Sequence, residues 1–240
     1  MSSQPVVLPV RGRPRLRVTT RSGRVTITAE ERPDILIESG APPVSEIGSD
    51  ATGQITLTSA RWGSASIEIR CPIGTDVVVG TASGRVELNG NLGEVRVTTA
   101  SGAIQVDRAE LLDIRSVSGS IAVARCAGSC RLQTQSGQAT VGSADDTDVS
   151  TVSGQVHLGW ASGHVRVRTA SGKVQVGTLG GGDVAVQTLS GSVRVEVPAG
   201  VRPAVRLTSI SGKPRCDCEE GDDCQIAVSS MSGGIEVVPG

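Results

Sequence analysis

From about residue 80 onward the chain alternates apolar and polar residues in short runs, and the runs return at a steady interval. TASGRVEL (81–88), TASGAIQV (99–106) and TASGKVQV (169–176) state one phrase three times. Each run reads roughly Gly-x-Val-x-Val followed by four or five corner residues, the alternation of a strand with one buried face. Ser-Gly recurs at Ser83, Ser101, Ser118, Ser136, Ser153, Ser171, Ser190, Ser211 and Ser232, at intervals of 18, 17, 18, 17, 18, 19, 21 and 21. A period held over that length is the signature of a stacked solenoid. A second glycine falls halfway, so Gly84, Gly93 and Gly102 are nine apart, as are Gly119, Gly128 and Gly137, then Gly154, Gly163 and Gly172.

The pattern therefore predicts an all-β fold: a single-stranded parallel β-solenoid, or β-helix, with two strands per turn of 17–18 residues and irregular end turns. Successive turns pair as parallel strands about 4.8 Å apart, and the right hand follows from the general preference of parallel crossovers. A three-sided coil of hexapeptides needs an apolar mark every six residues, which the nine-residue half-turn does not supply.

Columns follow from the register. The first inward position ahead of each Ser-Gly is assigned to Val95, Leu112, Cys130, Val149, Val165 and Val184, and the second to Val97, Ile114, Leu132, Thr151, Val167 and Val186. This assignment places a one-residue phase slip, and a β-bulge, at Asp148. Thr99, Ser116, Thr134, Thr151, Thr169 and Thr188 form a further column of small hydroxyls with inward parity, suited to bonds with one another and with nearby backbone. Outward, Arg96, Asp113, Arg131, Asp148 and Arg166 alternate in charge and favour the correct register over a slipped one. The pairs Ser83-Gly84, Ser101-Gly102, Ser118-Gly119, Ser136-Gly137, Ser153-Gly154, Ser171-Gly172 and Ser190-Gly191 are structural corners, where every turn bends at the same place.

The ends are less regular. Residues 1–14 read as a tail and 15–240 as one solenoid domain, with irregular N-terminal turns over 15–80, a regular stack over 81–192 and enlarged C-terminal turns over 193–240. Segments 24–30, 35–39, 54–59 and 66–70 alternate like strands, and Ser22-Gly23 and Ser39-Gly40 start the coil early. IEIRCPIG (67–74) and VRVEVPAG (193–200) share a strand-x-Pro-x-Gly form and mark enlarged turns near the two ends. Such modification is expected, because an uncovered solenoid end presents unpaired strand edges.

Composition narrows the chemistry. There is no Phe or Tyr, and Trp62 and Trp160 are the only large aromatics, so the core is aliphatic. Glycine, at 31 residues, supplies the many tight corners. The formal charge of −1 and dispersed arginines give no reason to expect nucleic acid or an anionic membrane as partner. No apolar run is long enough for a transmembrane segment, and MSSQPVVLPVRGRPR lacks the hydrophobic stretch of a secretory leader. The expected location is the cytoplasm.

The Ser-Gly-x-Val-x-Val turns, the IEIRCPIG turn and the terminal SGGIEVVPG together resemble the bacterial putative-adhesin family of unknown function that includes LiaG-like proteins. The resemblance covers about residues 15–240 and implies a parallel β-solenoid linked by association with envelope-stress response systems. The export signal that an adhesin needs is not found in the sequence.

CDCEEGDDC (216–224) is the stretch richest in ligand chemistry, since Cys216, Cys218 and Cys224 with a neighbouring carboxylate could hold zinc. Its Cys-x-Cys-x5-Cys spacing is not that of paired zinc knuckles, and the alternative is a polar loop with free or oxidised thiols. Cys130 has the parity of a buried small hydrophobe, Cys126 sits in the preceding corner and Cys71 precedes Pro72. His157 and His164 have outward parity in adjacent half-turns and read as surface residues. The periodic serines are explained by corners, with no base implied beside any of them. Polysaccharide cleavage lacks an aromatic-lined groove, and ice binding lacks an outward threonine array. The expectation is therefore not an enzyme, and without a resident cofactor unless zinc binds at 216–224. It is a non-catalytic scaffold or interaction module that meets a protein partner. The alternatives are a self-associating cytoskeletal polymer similar to the bactofilins, and an adhesin-like surface protein if a leader precedes the chain.

Overall fold

Alternating Val, Ile and Leu bury one face of the long strands, and stacking those strands in register turns the faces into continuous apolar columns. The computed structural model describes residues 5–10, 12–39, 44–49, 54–59, 65–177 and 182–240. Trp62 and Gly40 lie outside the described residues. Two compact units, Met1–Ser120 and Ile121–Gly240, divide the chain. All regular structure in the described residues is strand, in the β-solenoid-like manner.

The first unit holds β1 (Val6–Pro9), β2 (Arg15–Glu30), β3 (Asp34–Ser39), β4 (Val44–Ser49), β5 (Gln54–Ser59), β6 (Ala65–Pro72), β7 (Asp76–Ser101) and β8 (Ile104–Ser118). β2 and β7 pair in parallel, with Leu16 beside Val77, Ser22 beside Ser83, Gly23 beside Gly84 and Ile27 beside Leu88. β7 and β8 continue the stack, with Val86 beside Ile104, Val95 beside Leu112 and Val97 beside Ile114. The register changes by one residue between Leu88 and Asn91, where Gly90 takes φ 81°. An extra corner residue is absorbed there as a bulge.

Two expectations for this end are corrected. The chain is not parallel throughout: β1 pairs β3, β3 pairs β6 and β4 pairs β5 antiparallel. Nor does spatial order follow chain order, because β5 and β6 return to pair with β2 on the side away from β7. The chain reverses at Glu31–Pro33, where Arg32 bonds Glu30 at 2.9 Å and Asp34 at 2.8 Å. β3, β5 and β6 thus cover the exposed edge of the first turn, a physical need that any stack of strands must meet. Val6–Pro9, within the stretch read as a tail, is the edge strand of this cover.

The second unit holds β9 (Ile121–Ala161), β10 (Val165–Val176), β11 (Val184–Ser190), β12 (Val193–Val197), β13 (Pro203–Ser209), β14 (Pro214–Cys216), β15 (Cys224–Ser232) and β16 (Ile235–Pro239). β9 and β10 run in parallel from Thr147 beside Val165 to Leu158 beside Val176, with no register shift. The bulge expected at Asp148 is therefore absent. Thr147, 4% exposed, occupies the first inward column beside Val165, and Val149 belongs to the second beside Val167. Threonine has the branched shape of valine, so the column continues with a hydroxyl in place of a methyl. At the far end the order is again not sequential: β15 lies between β11 and β13, and β16 between β12 and β14.

The hydroxyl column is buried, and its bonds run along the chain to the corner. The hydroxyls of Thr20, Thr99, Ser116, Thr134 and Thr169 donate to the carbonyl of the serine two residues on, at 3.0 to 3.3 Å. Thr188 and Thr151 are buried with hydroxyl oxygens that find no such partner. Thr169→Val removes a satisfied bond and is expected to cost about 1 kcal/mol, whereas Thr188→Val removes an unsatisfied polar atom and is expected to be neutral or stabilising. Equal losses in urea denaturation would show that the column contributes through shape alone.

The outward charges match the expected register. Arg96 approaches Asp113 at 3.8 Å, and Arg166 stands beside Asp148, which Arg168 approaches at 3.9 Å.

Candidate functional site

Each Thr-x-Ser-Gly corner points its threonine inward and bends at the glycine, so the intervening residue is turned out. In the second unit Gln135 holds that place first, followed by the in-register residues Val152, Ala170, Leu189, Met231 and Ile210. Val152 is 56% exposed, Leu189 55%, Met231 53% and Ile210 77%. Stacked at strand spacing, about 4.8 Å, they make a linear aliphatic ridge along the Ser-Gly corners. The same place in the first unit holds Arg21, Ala82, Ala100 and Val117. Sequence reasoning followed the Thr, Ser and Gly of the corner and missed the residue between them. The signal was available, since bulky aliphatics stood at positions that the corner geometry exposes.

A groove of about 450 Å³ lies on the outward face of the same unit, with Asp148, Arg166, Ala185 and Ala227 along its floor. Its rim is a corner column in which His164 stands between two acids, with Nδ1 3.6 Å from Asp146 and Nε2 3.7 Å from Asp183. The acids are tied to backbone: His164 N donates to Asp146 at 3.0 Å, and Gln225 N donates to Asp183 at 3.0 Å. The small side chains of Ala185 and Ala227 open the depression, and both charge signs line it. His157 belongs elsewhere, beside Gln175 in the other half-turn.

The cysteine loop is pinned rather than loose. Asp217 N donates to Val237 O at 2.9 Å, Asp223 N to Arg202 O at 3.1 Å, and Arg202 N to the Asp223 carboxylate at 2.8 Å. Cys218 and the Pro198–Gly200 turn share a hollow of about 500 Å³, so the turn and the loop meet in space. Cys216 is exposed and bonds toward Cys218, Cys218 is half-buried, and Cys224 is buried. Burial, then neighbouring negative groups, pushes the Cys218 and Cys224 thiols up. Among the described residues no group of three or more His, Cys, Asp or Glu is placed to hold a metal ion. Cys71 is a core residue of β6, pushed up to about 11 by burial. Cys126 and Cys130 are both buried in the second unit.

At the Ser-Gly corners Gly102, Gly119, Gly137, Gly172 and Gly191 have positive φ and Gly84 and Gly154 do not, while Ser83 pairs with Ser22 and Ser171 with Ser153 and Ser190.

An all-β stack with a capped first turn, in-register hydroxyl corners and no helix among the described residues is a β-solenoid-like architecture. Residues 11–238 match the Toastrack DUF4097 family, and the chain belongs to it. Two solved structures share the fold over nearly the whole length. A putative adhesin from Parabacteroides distasonis is 14% identical, covering 97% of this chain and 96% of its own, with a TM-score of 0.53. A putative lipid binding protein from the same species is 12% identical, covering 98% and 96%, with a TM-score of 0.54. No curated protein matches the chain. No helix among the described residues is long and apolar enough to cross a membrane.

Proposed function

We propose that the chain is a non-catalytic interaction module that presents the aliphatic ridge of its second unit to an apolar strip on a protein partner. The exposure of Val152, Leu189, Met231 and Ile210 along one corner column, with the smaller Ala170 between the first two, carries this reading. Exposed contiguous aliphatics on a rigid support mark an interaction surface. The module works as a right-handed coil of two strands per turn, in the cytoplasm, and the envelope-stress connection comes with the family resemblance alone. The charged groove of the same unit would set orientation more than affinity.

Self-assembly is the second reading, and one observation favours it. At the end of the second unit β13 pairs, among the described residues, only with β15, and Val205 and Leu207 are only half-buried. Pro203 and Pro214 on these edge strands act against continuation, since proline offers no N–H to a further strand. The names of the two solved relatives add adhesion and lipid binding as roles that the same fold can carry.

Light scattering over a concentration series, on wild type and on Leu189→Glu/Met231→Glu, separates the readings. A concentration-independent monomer whose retention of a cross-linked partner is lost in the variant, at unchanged melting temperature, supports the module. Assembly that grows with concentration and survives the substitutions moves the reading to a polymer built through the ends.

A further inference from the structure

Cys126 and Cys130 flank the three-residue corner Ala127-Gly128-Ser129 within β9, and both side chains face the core, 1% and 0% exposed. Each thiol's strongest electrostatic interaction is with the other. The Cys126 sulfur also lies 3.7 Å from the Gly128 carbonyl oxygen and 3.5 Å from that of Ser129. The inward corner positions of the following turns hold Ala144 and Ala161, so the thiol replaces a methyl in a column of small residues. Apolar packing alone does not require two sulfurs in contact across one corner, and partner binding through the ridge makes no use of them.

We propose that Cys126 and Cys130 form a reversible dithiol–disulfide site, oxidised by a hydroperoxide and reduced again by a small thiol. The two cysteines have different roles. The interaction with Cys130 holds the Cys126 thiol below its ordinary range despite burial. Cys130 is pushed up by that same interaction and by burial, and keeps its proton. Cys126 is accordingly the attacking thiolate and Cys130 the resolving thiol.

In the first step the Cys126 sulfur attacks one peroxide oxygen and the O–O bond breaks. A sulfenic acid forms, and the other oxygen leaves as hydroxide that becomes water on protonation. In the second step the Cys130 sulfur attacks the sulfenic sulfur, the S–O bond breaks, and the departing oxygen takes the Cys130 proton to leave as water. Two thiols have lost two electrons and two protons, and hydrogen peroxide has become two waters. Reduction by two equivalents of an external thiol returns both protons and yields the external disulfide.

The sequence supplies a direct readout. Arg125 and Arg131 bracket CAGSCR, so trypsin releases both sulfurs in one peptide. The full chain is treated with hydrogen peroxide under native conditions, unfolded with a thiol-alkylating reagent, digested and weighed. The expected result is an unalkylated peptide lighter than the dithiol by two hydrogen atoms, restored to the doubly alkylated form by prior dithiothreitol treatment. With Cys130→Ala, dimedone should trap Cys126 as the sulfenic acid. A doubly alkylated CAGSCR peptide after exposure that oxidises Cys216 and Cys218 would overturn the proposal, as would sulfinic or sulfonic products in place of the disulfide. If Cys130→Ala fails to fold, the wild-type peptide mass decides alone.

Discussion

Gly172→Ala is expected to lose about 3 kcal/mol or more of stability, while Gly80→Ala changes it by less than about 0.5 kcal/mol. Gly172 has φ 144°, a region that essentially only glycine occupies. A Cβ there would also run into the carbonyl oxygen of Gly154 in the turn below. Gly154 is fixed in its turn by the parallel pairing that places it beside Gly172, so the collision cannot be relieved without opening the rung. Gly80 has no positive φ and nothing within 4 Å of the place where a Cβ would stand. Urea denaturation of the two variants measures the contrast, and similar midpoints would show that the Ser-Gly corners can re-space.

Ile69→Ala is expected to cost about 3 kcal/mol, as large-to-small substitutions in a packed core do. The residue is 0% exposed and lies in β6 between Ile27 of β2 and Ile37 of β3. It belongs to the segment that departs most from the repeat, so its loss tests whether the cover is part of the folded unit or an appendage. Ile73, 50% exposed in the following turn, is the control, with an expected cost under about 0.5 kcal/mol. A midpoint shift for Ile69→Ala at unchanged denaturant slope would show that cover and stack unfold together. No shift would show that the cover opens independently.

Local periodicity made the strands and the corners legible. Ser22, Ser83 and their glycines stack as the spacing implies, and the hydroxyl column is buried with the inward parity assigned to it. The error at Asp148 came from matching valine with valine. Thr147 fills the same volume, so the correct register was the strict count back from Ser153, with a threonine accepted among apolar residues. Strand direction and neighbour choice in 34–72 were not legible, because alternation marks a buried face without saying which strand lies beside it. The ridge was legible and overlooked. The contact between Cys126 and Cys130 depended on how the corner folds the chain back, which spacing alone does not give.

The insertion of β15 and β16 beneath β13 and β14 makes the second unit a latch rather than a pile of separable leaves. A stacked-repeat domain can ordinarily be shortened from one end with a graded loss of stability. Cutting away residues 224–240 here would withdraw an interior leaf and strand the segment 203–216 without a neighbour. The same constraint orders events during synthesis: residues 203–216 leave the ribosome before the strands they rest on exist. The strands of 203–216 therefore cannot pair until residues 224–239 have been made.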